Sequence, residues 1–346
     1  MTTLVVRLDS AGDVLLAGPA VRAAAHHSRR VVMLCGPQGA PAARLLPGVD
    51  EVVVWDSPWT GFDPPPATAR GVMELVSSLA SRRIERALVL TSFHQSALPT
   101  ALLLRMAGVS HIAADSVDYP GSLLDLRHWR GEGRHEAEAA LDLAGAAGFP
   151  LPPGDDGRLA VLPPPDQRHL TGPGRYVVLH PGAAVPARAP GARLAAAAVR
   201  ALTTAGHRVV VTGGRAEKEL TAEVAGADAL DLGGRTGLAE LAGVLAGADA
   251  VVAGNTGPAH LAAAVGTPVA CLFAPVVPAH RWRPYGVPHV LLGRQDAPCA
   301  GTRARTCPVP GHPCLDSLTA EEIVTAVDLL RGPADPDRAA APEVTR

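Results

Sequence analysis

Aromatic side chains are scarce: Phe, Tyr and Trp together make up 3% of the 346 residues. Cores in such a chain must be filled mainly by Ala, Val and Leu. Lysine occurs once, at Lys218, and asparagine once, at Asn255, so Arg carries nearly all the positive charge. Neither sign of charge dominates, since 31 Lys and Arg face 33 Asp and Glu for a net charge of -2, which removes any electrostatic case for binding nucleic acid. No apolar run approaches the roughly 20 residues that cross a bilayer, because charged residues or Pro interrupt each one. The start, Met1 to Arg7 (MTTLVVR), has no basic region ahead of an apolar stretch and enters a strand-like segment at once, unlike a signal peptide. A cytoplasmic location is expected, with peripheral attachment to the inner face of a membrane left open. Five Cys, an odd number in a long chain, do not read as a disulfide scaffold.

What is present points to folded α/β structure. A hydrophobic fraction of 47% against 18% charged residues excludes disorder throughout. The length exceeds what a single core usually reaches, so two domains of roughly 150 to 180 residues are expected. Short apolar runs alternate with amphipathic or Ala-rich stretches, the pattern of repeated β-α units with parallel sheets covered on both faces. In the first half the expected strands are Leu4 to Leu8, Val31 to Leu34, Glu51 to Val54, Ala87 to Leu90 and His111 to Ala113. In the second they are Tyr176 to Leu179, Arg208 to Val211, Ala229 to Leu232, Ala250 to Ala253 and Val269 to Phe273. Glu136 to Phe149 reads as the last helix of the first half, and Thr319 to Leu330 as the last of the second, opened by a capping-box spacing of Thr319 and Glu322. The run Leu162-Pro163-Pro164-Pro165-Asp166 and the Gly172-Pro173-Gly174 that follows form a stiff, helix-incompatible connection. The expected division is therefore a first domain over 1–161, a linker over 162–175, a second domain over 176–331 and a disordered tail over 332–346.

In parallel sheets ligands bind beyond the carboxyl ends of the strands, so motifs there carry the most information. At the first strand's end, Arg7-Leu8-Asp9-Ser10-Ala11-Gly12-Asp13 enters a helix near Asp13. A Gly-x-Gly-x-x-Gly fingerprint is absent, which weakens a nicotinamide reading. Asp13 there is either an ordinary helix-start carboxylate or a general base facing a cleft. His180-Pro181-Gly182-Ala183 ends a second-half strand with small residues that leave room for a phosphate or ribose, or it is a loop without a ligand. Thr212-Gly213-Gly214-Arg215-Ala216-Glu217 is another Gly-rich turn, with Glu217 either accepting from a ribose or base or capping a helix. Gly254-Asn255-Thr256-Gly257-Pro258-Ala259-His260 places Pro258 near the first position of a helix whose amino end suits a diphosphate. His260 taken alone is more often a core or surface histidine. Cys299, Cys307, His312 and Cys314 could make a zinc site, although their spacing is not that of a standard knuckle and a Pro-rich loop is the favoured reading. Cys35 and Cys271 lie in apolar runs and read as core. Arg127, His128, Trp129 and Arg130 read as a solvated loop or as acceptor contacts.

Together these segments resemble glycosyltransferase family 9, the heptosyltransferase-like enzymes of the GT-B fold. The resemblance rests on RLDSAGDVLLAGPAVRA at the start, HPGA at 180–183, TGGRAEKEL at 212–220 and GNTGPAHLAAAVGTP at 254–268, in the family's order. It implies two Rossmann-like domains facing a central cleft. It implies an inverting transfer, independent of metal and cofactor, of a sugar from a nucleotide diphosphate donor, ADP-heptose or similar, to an acceptor hydroxyl. Asp13 then corresponds to the general base, and His180, Gly182, Ala183, Arg188, Gly213, Glu217, Asn255, Thr256, Gly257 and His260 to the donor site. The acceptor, a glycan, a lipid-linked group or a small molecule, is not specified.

The chain departs from the family pattern twice. Asn255 stands where many relatives have Asp, and the stretch after His-Pro-Gly, Pro186-Ala187-Arg188-Ala189-Pro190, has no Lys and no Trp, leaving Arg188 as the replacement cation. These departures keep a catalytically lapsed nucleotide-sugar binding protein, and a nucleotide-sugar epimerase, as alternatives to a transferase.

Overall fold

The computed structural model describes residues 1–61 and 63–331, so the tail expected over 332–346 lies outside the described residues. Two six-stranded sheets, parallel throughout, follow one another along the chain. The first contains β1 (Thr2–Arg7), β2 (Arg30–Cys35), β3 (Glu51–Val54), β4 (Arg86–Val89), β5 (His111–Asp115) and β6 (Leu126–His128), in the order β3-β2-β1-β4-β5-β6. The second contains β7 (Val177–His180), β8 (Val209–Val211), β9 (Leu230–Asp231), β10 (Ala250–Gly254), β11 (Val269–Leu272) and β12 (His289–Leu292), in the order β12-β11-β10-β7-β8-β9. Read from its own first strand, each sheet has the same doubly wound order, which reverses between β1 and β4 and again between β7 and β10.

The central strands are continuous Val, Leu and Ala runs because both of their faces are covered. Leu4, Val5 and Val6 of β1 and Val251, Val252 and Ala253 of β10 are all buried. The expected strands are present with ends shifted by a residue or two. Leu8, Leu90 and Phe273 fall just outside them, while β5 runs on to Asp115. Two edge strands, β6 and β12, are additions to the sequence reading. Their residues are only half-covered or exposed, so they lack the uniform apolar run that marks an inner strand.

The helix Glu136–Ala146 stops three residues before Phe149, and the last helix is Ala320–Arg331. Thr319 and Glu322 make the reciprocal capping bonds expected of them, at 3.2 and 2.7 Å. One expectation is corrected: between the Pro run and Gly172 the connection contains a helical turn, Arg168–Thr171. The helix-incompatible residues bracket this turn without entering it, and Asp166 Oδ1 accepts from the Arg168 N–H at 2.9 Å to start it.

The halves pack through two short helices that follow β1 and β10, Ala11–Leu16 and Gly257–Ala264. Val14, Leu15, Ala259 and Leu261 belong to one buried apolar cluster that draws on both sheets. No described helix is long and apolar enough to cross a membrane.

Candidate active site

The two helix starts meet at glycines. A Cβ on Gly12 would lie 3.0 Å from His260 Cδ2 and 3.4 Å from Gly257 Cα, and one on Gly257 would lie 3.8 Å from the Gly12 N. A side chain at Gly12 would press on the edge of the imidazole, whereas Gly257 leaves ordinary van der Waals room. Asp13, in the first turn of its helix, is thereby brought beside the amino end of the helix that carries His260. Thr256 is the N-cap of that helix but does not give its hydroxyl to the helix; its Oγ1 donates to the Gly254 carbonyl at 3.4 Å. Pro258 has no N–H, so the Gly257 amide is the outermost donor at this end.

Asp13 is held from three sides. Arg7 Nη2 lies 3.0 Å from Oδ1, the Ser10 hydroxyl donates to Oδ2 at 2.8 Å, and the Trp282 indole N–H donates to Oδ1 at 3.4 Å. Burial would raise the carboxyl pKa, but Arg7, Ser10, His260 and Arg188 outweigh it and hold Asp13 below its ordinary value. It is therefore ionised at neutral pH. Arg7, only 3% exposed, also faces Asp9 at 3.0 Å and Glu136 at 3.5 Å, and it donates to the Ser92 hydroxyl at 2.8 Å. Burial alone would lower its pKa; the three carboxylates overcome that and keep it charged. Asp9 bears the cost of the crowding: burial, Asp13 and Glu136 outrun Arg7 and the Gln95 amide and push it up to about 6. Glu136 is likewise raised by burial, with Arg7 and Arg130 opposing; Arg130 Nη1 donates to it at 2.9 Å.

His260 is 4% exposed, and its Nδ1 has no hydrogen-bond partner. Burial, with His135 and Arg188 adding repulsion, depresses it to about 4, so the imidazole is neutral. Arg188 also has a buried Nε without a partner, and burial lowers its pKa against the pull of Asp13. Its main chain is placed by Gly254, since a Cβ there would meet the Arg188 carbonyl oxygen at 2.4 Å. Asp13, Arg188, Gly257 and His260, separated widely in sequence, thus form one group at the junction of the halves.

The remaining candidates form a second group at the ends of β7 and β8. His180 Nδ1 pairs with Thr212 Oγ1 at 3.0 Å, and its Nε2 is 3.9 Å from Glu217 Oε2. Burial lowers the His180 pKa, with Glu217 opposing. Glu217 accepts from the Gly214 N–H at 2.6 Å and lies against Gly182, where any Cβ would come within 1.9 Å of its Oε1. Gly213 is similarly closed, by Thr221, and Ala183, next after Gly182, is half-buried. Asn255 is buried with both ends of its amide on Ala274: Nδ2 donates to the carbonyl at 3.3 Å and Oδ1 accepts from the N–H at 3.2 Å. It braces the ends of β10 and β11.

The late cysteines are gathered differently. Cys299 and Cys314 are buried, and burial together with Cys299 pushes the Cys314 thiol up to about 12. Cys307 Sγ is directed to the Val309 carbonyl, and His312 Nε2 pairs with the Ala187 carbonyl at 3.2 Å, not with a thiol. Among the described residues no set of three or more His, Cys, Asp or Glu has the arrangement to hold a metal. Cys35 and Cys271 are buried core residues.

Sequence reasoning missed Asp9, Glu136 and Trp282 around the base, and Ser92 and Arg281, which bond or face Arg7 and Glu136 behind it. Asp9 lies in the first motif, but Glu136 marks only the start of a helix in the sequence, and Trp282 reaches Asp13 across 269 positions of the chain. The Arg127–Arg130 segment is no plain solvated loop: Leu126–His128 is a strand, and His128, Trp129 and Arg130 line a cavity of about 480 Å³ with Phe93 and Arg281.

Two doubly wound parallel sheets, with functional loops from the reversal points of both converging between them, define the GT-B class of glycosyltransferase. Residues 72–312, well over half of the chain, match the family model for glycosyltransferase family 9 (heptosyltransferase), and the chain belongs to that family. Similar solved folds include E. coli ADP-heptose lps heptosyltransferase II (20% identity, 96% of this chain and 98% of that one, TM-score 0.72). A family 9 glycosyl transferase from Veillonella parvula (16%, 95% and 97%, TM-score 0.76) is another. A third is E. coli heptosyltransferase WaaC with ADP (19%, 94% and 96%, TM-score 0.66). No curated protein matches the sequence.

Proposed function

We infer that this glycosyltransferase moves a sugar, a heptose or a related one, from a nucleotide diphosphate donor to an acceptor hydroxyl, with inversion and without a metal ion. The first half, 1–161, holds the acceptor, and the second, 176–331, holds the donor. The single observation that carries this is the close approach of Gly12 to Gly257 and His260, which sets the Asp13 carboxylate beside the amino end of the Gly257–Ala264 helix.

The donor diphosphate sits at the Gly257 amide and at the Thr256 hydroxyl, whose proton turns from the Gly254 carbonyl to the phosphate, with Arg188 supplying charge, while the nucleoside extends toward His180, Gly182, Ala183, Gly213 and Glu217. Asn255 acts from behind this surface by fixing the turn. Negative charge on the leaving diphosphate is met by preorganised donors, which is where electrostatic stabilisation is most effective. Arrival of that anion raises the His260 pKa, and a proton there turns the unpartnered imidazole into a further donor. The acceptor oxygen forms its bond to the anomeric carbon from the face opposite the diphosphate, and the pair of the breaking C–O bond leaves on the diphosphate oxygen. Asp13 is a weak base, held low by Arg7. It cannot ionise a free alcohol beforehand, but it accepts the proton once bonding to carbon has made that oxygen acidic.

A stability screen against nucleoside diphosphates and their sugars tests the donor, since a ligand that binds only the folded chain raises its apparent stability. A rise with at least one diphosphate, and transfer from the corresponding sugar, is expected. No response to any nucleotide would refute the proposal.

A further inference from the structure

One segment of the second half is fastened to the first by six contacts. Trp282, at the end of the short helix Ala279–Trp282, donates its indole N–H to Asp13 Oδ1 at 3.4 Å and packs its ring 5.8 Å from Phe93. Arg281 lies over the same Phe93 ring at 4.7 Å and is 3.9 Å from Glu136. The Arg283 carbonyl accepts from His135 Nε2 at 2.9 Å, and Tyr285 stacks on the His135 ring at 4.6 Å. Nδ1 of His135 accepts the Ala137 N–H, so Nε2 must carry the proton, in keeping with a neutral ring depressed to about 4 mainly by burial. In a chain with 3% aromatic residues, three aromatic side chains and a histidine meet at this one seam.

We propose that Trp282 is a positioning residue for the catalytic base, supplying from the donor-carrying half the third anchor that Asp13 needs. Ser10 and Arg7 belong to the same motif as Asp13 and hold it in any arrangement of the halves. Trp282 reaches it only when the segment 279–285 is seated. With Arg7 and Trp282 both on Oδ1, that oxygen is occupied, and Oδ2, bonded only to Ser10, keeps an acceptor direction for the incoming hydroxyl. The base is therefore complete only when the half that carries the donor is docked, so proton acceptance is linked to donor-side closure.

This rests on Asp13 being the base, but its test does not depend on transfer. The charged and titratable groups facing Asp13 are Arg7, Asp9, Glu136, His94, Arg188 and His260, and all are left in place by Trp282→Phe, which also keeps the packing on Phe93. The Asp13 carboxyl ¹³C signal, assigned by its loss in Asp13→Asn, is followed through an acid titration of the full-length protein. Loss of the indole donor should move the Asp13 titration to higher pH in Trp282→Phe with the melting temperature little changed; superimposable titrations overturn the proposal. A second readout needs no Trp282 variant: of the four indole N–H signals, one must shift as Asp13 protonates and must be displaced in Asp13→Asn. If none responds, the contact is absent in solution and the proposal fails. The base assignment is judged separately, by whether Asp13→Asn still transfers sugar.

Discussion

Asp13 and Arg188 illustrate how single residues acquire chemistry from their surroundings. Asp13→Asn keeps the shape and the Ser10 and Trp282 contacts but cannot take a proton. Transfer should fall roughly 10²- to 10⁴-fold while nucleoside diphosphate affinity is retained; steady-state kinetics beside calorimetric binding would separate the two, and near-full transfer would remove the base. Arg188 has the opposite expectation. Its buried Nε has no hydrogen-bond partner within the protein, so Arg188→Met should weaken diphosphate binding about 10- to 100-fold, the range for a charged hydrogen bond. Arg188→Lys should recover part of it, since a point charge remains but the planar fork does not. Equal affinities in all three proteins would place the diphosphate elsewhere.

The same residues show what can be read from sequence. Asp13, Gly257 and His260 were recognisable because each sits in a short motif at a strand end, and their roles follow from local spacing. Asp9, Glu136 and Trp282 were not, because their importance lies in meeting Arg7 or Asp13 through the fold. Asn255 was legible as a site residue by position, but nothing local shows that its amide is engaged on Ala274.

At the scale of elements, glycines decide how closely backbones approach. Gly254 ends β10 against the main chain of the turn Pro186–Arg188. Gly254→Ala would place a methyl 2.4 Å from the Arg188 carbonyl oxygen, and backbone cannot swing aside as a side-chain tip can. A loss of roughly 1–3 kcal/mol in denaturant unfolding is expected, as for other overpacked sites, together with weaker diphosphate binding as Arg188 is displaced. Unchanged stability would mean that the turn is not seated on β10. The inner strands were legible because burial on both faces forces unbroken apolar runs. The edge strands β6 and β12 were not, because one partner and half-exposure impose no such pattern.

For the whole molecule, the seam between the halves stores charge in unusual states, and acid should expose it. His135 is held near 4 against an ordinary 6.5, so the unfolded chain takes up a proton that the folded one refuses; stability is lost as pH falls from about 6.5 toward 4. Asp9, at about 6 against 3.8, has the opposite sign: the folded chain takes a proton first, which adds stability as pH falls through 6. Between pH 7 and 5, His135→Gln should therefore lose less stability than the parent and Asp9→Asn should lose more, as measured by urea unfolding at each pH. Parallel pH profiles for all three proteins would show that neither group is buried in solution as it is here.

The repeated β-α pattern and the Pro-rich run made two parallel-sheet halves readable from the chain alone. Their contact could not be read, since nothing local marks Gly12 and Gly257, each in the first turn of its helix, as the place where the halves meet. The most direct measurement is a crystal structure with whichever nucleoside diphosphate most raises the melting temperature. Its diphosphate should lie on the Gly257 amide with Arg188 in contact and the Asp13 carboxylate across the same gap. A diphosphate bound away from the Gly257–Ala264 helix, with Asp13 facing no part of the ligand, would contradict the assignment of both the donor site and the base.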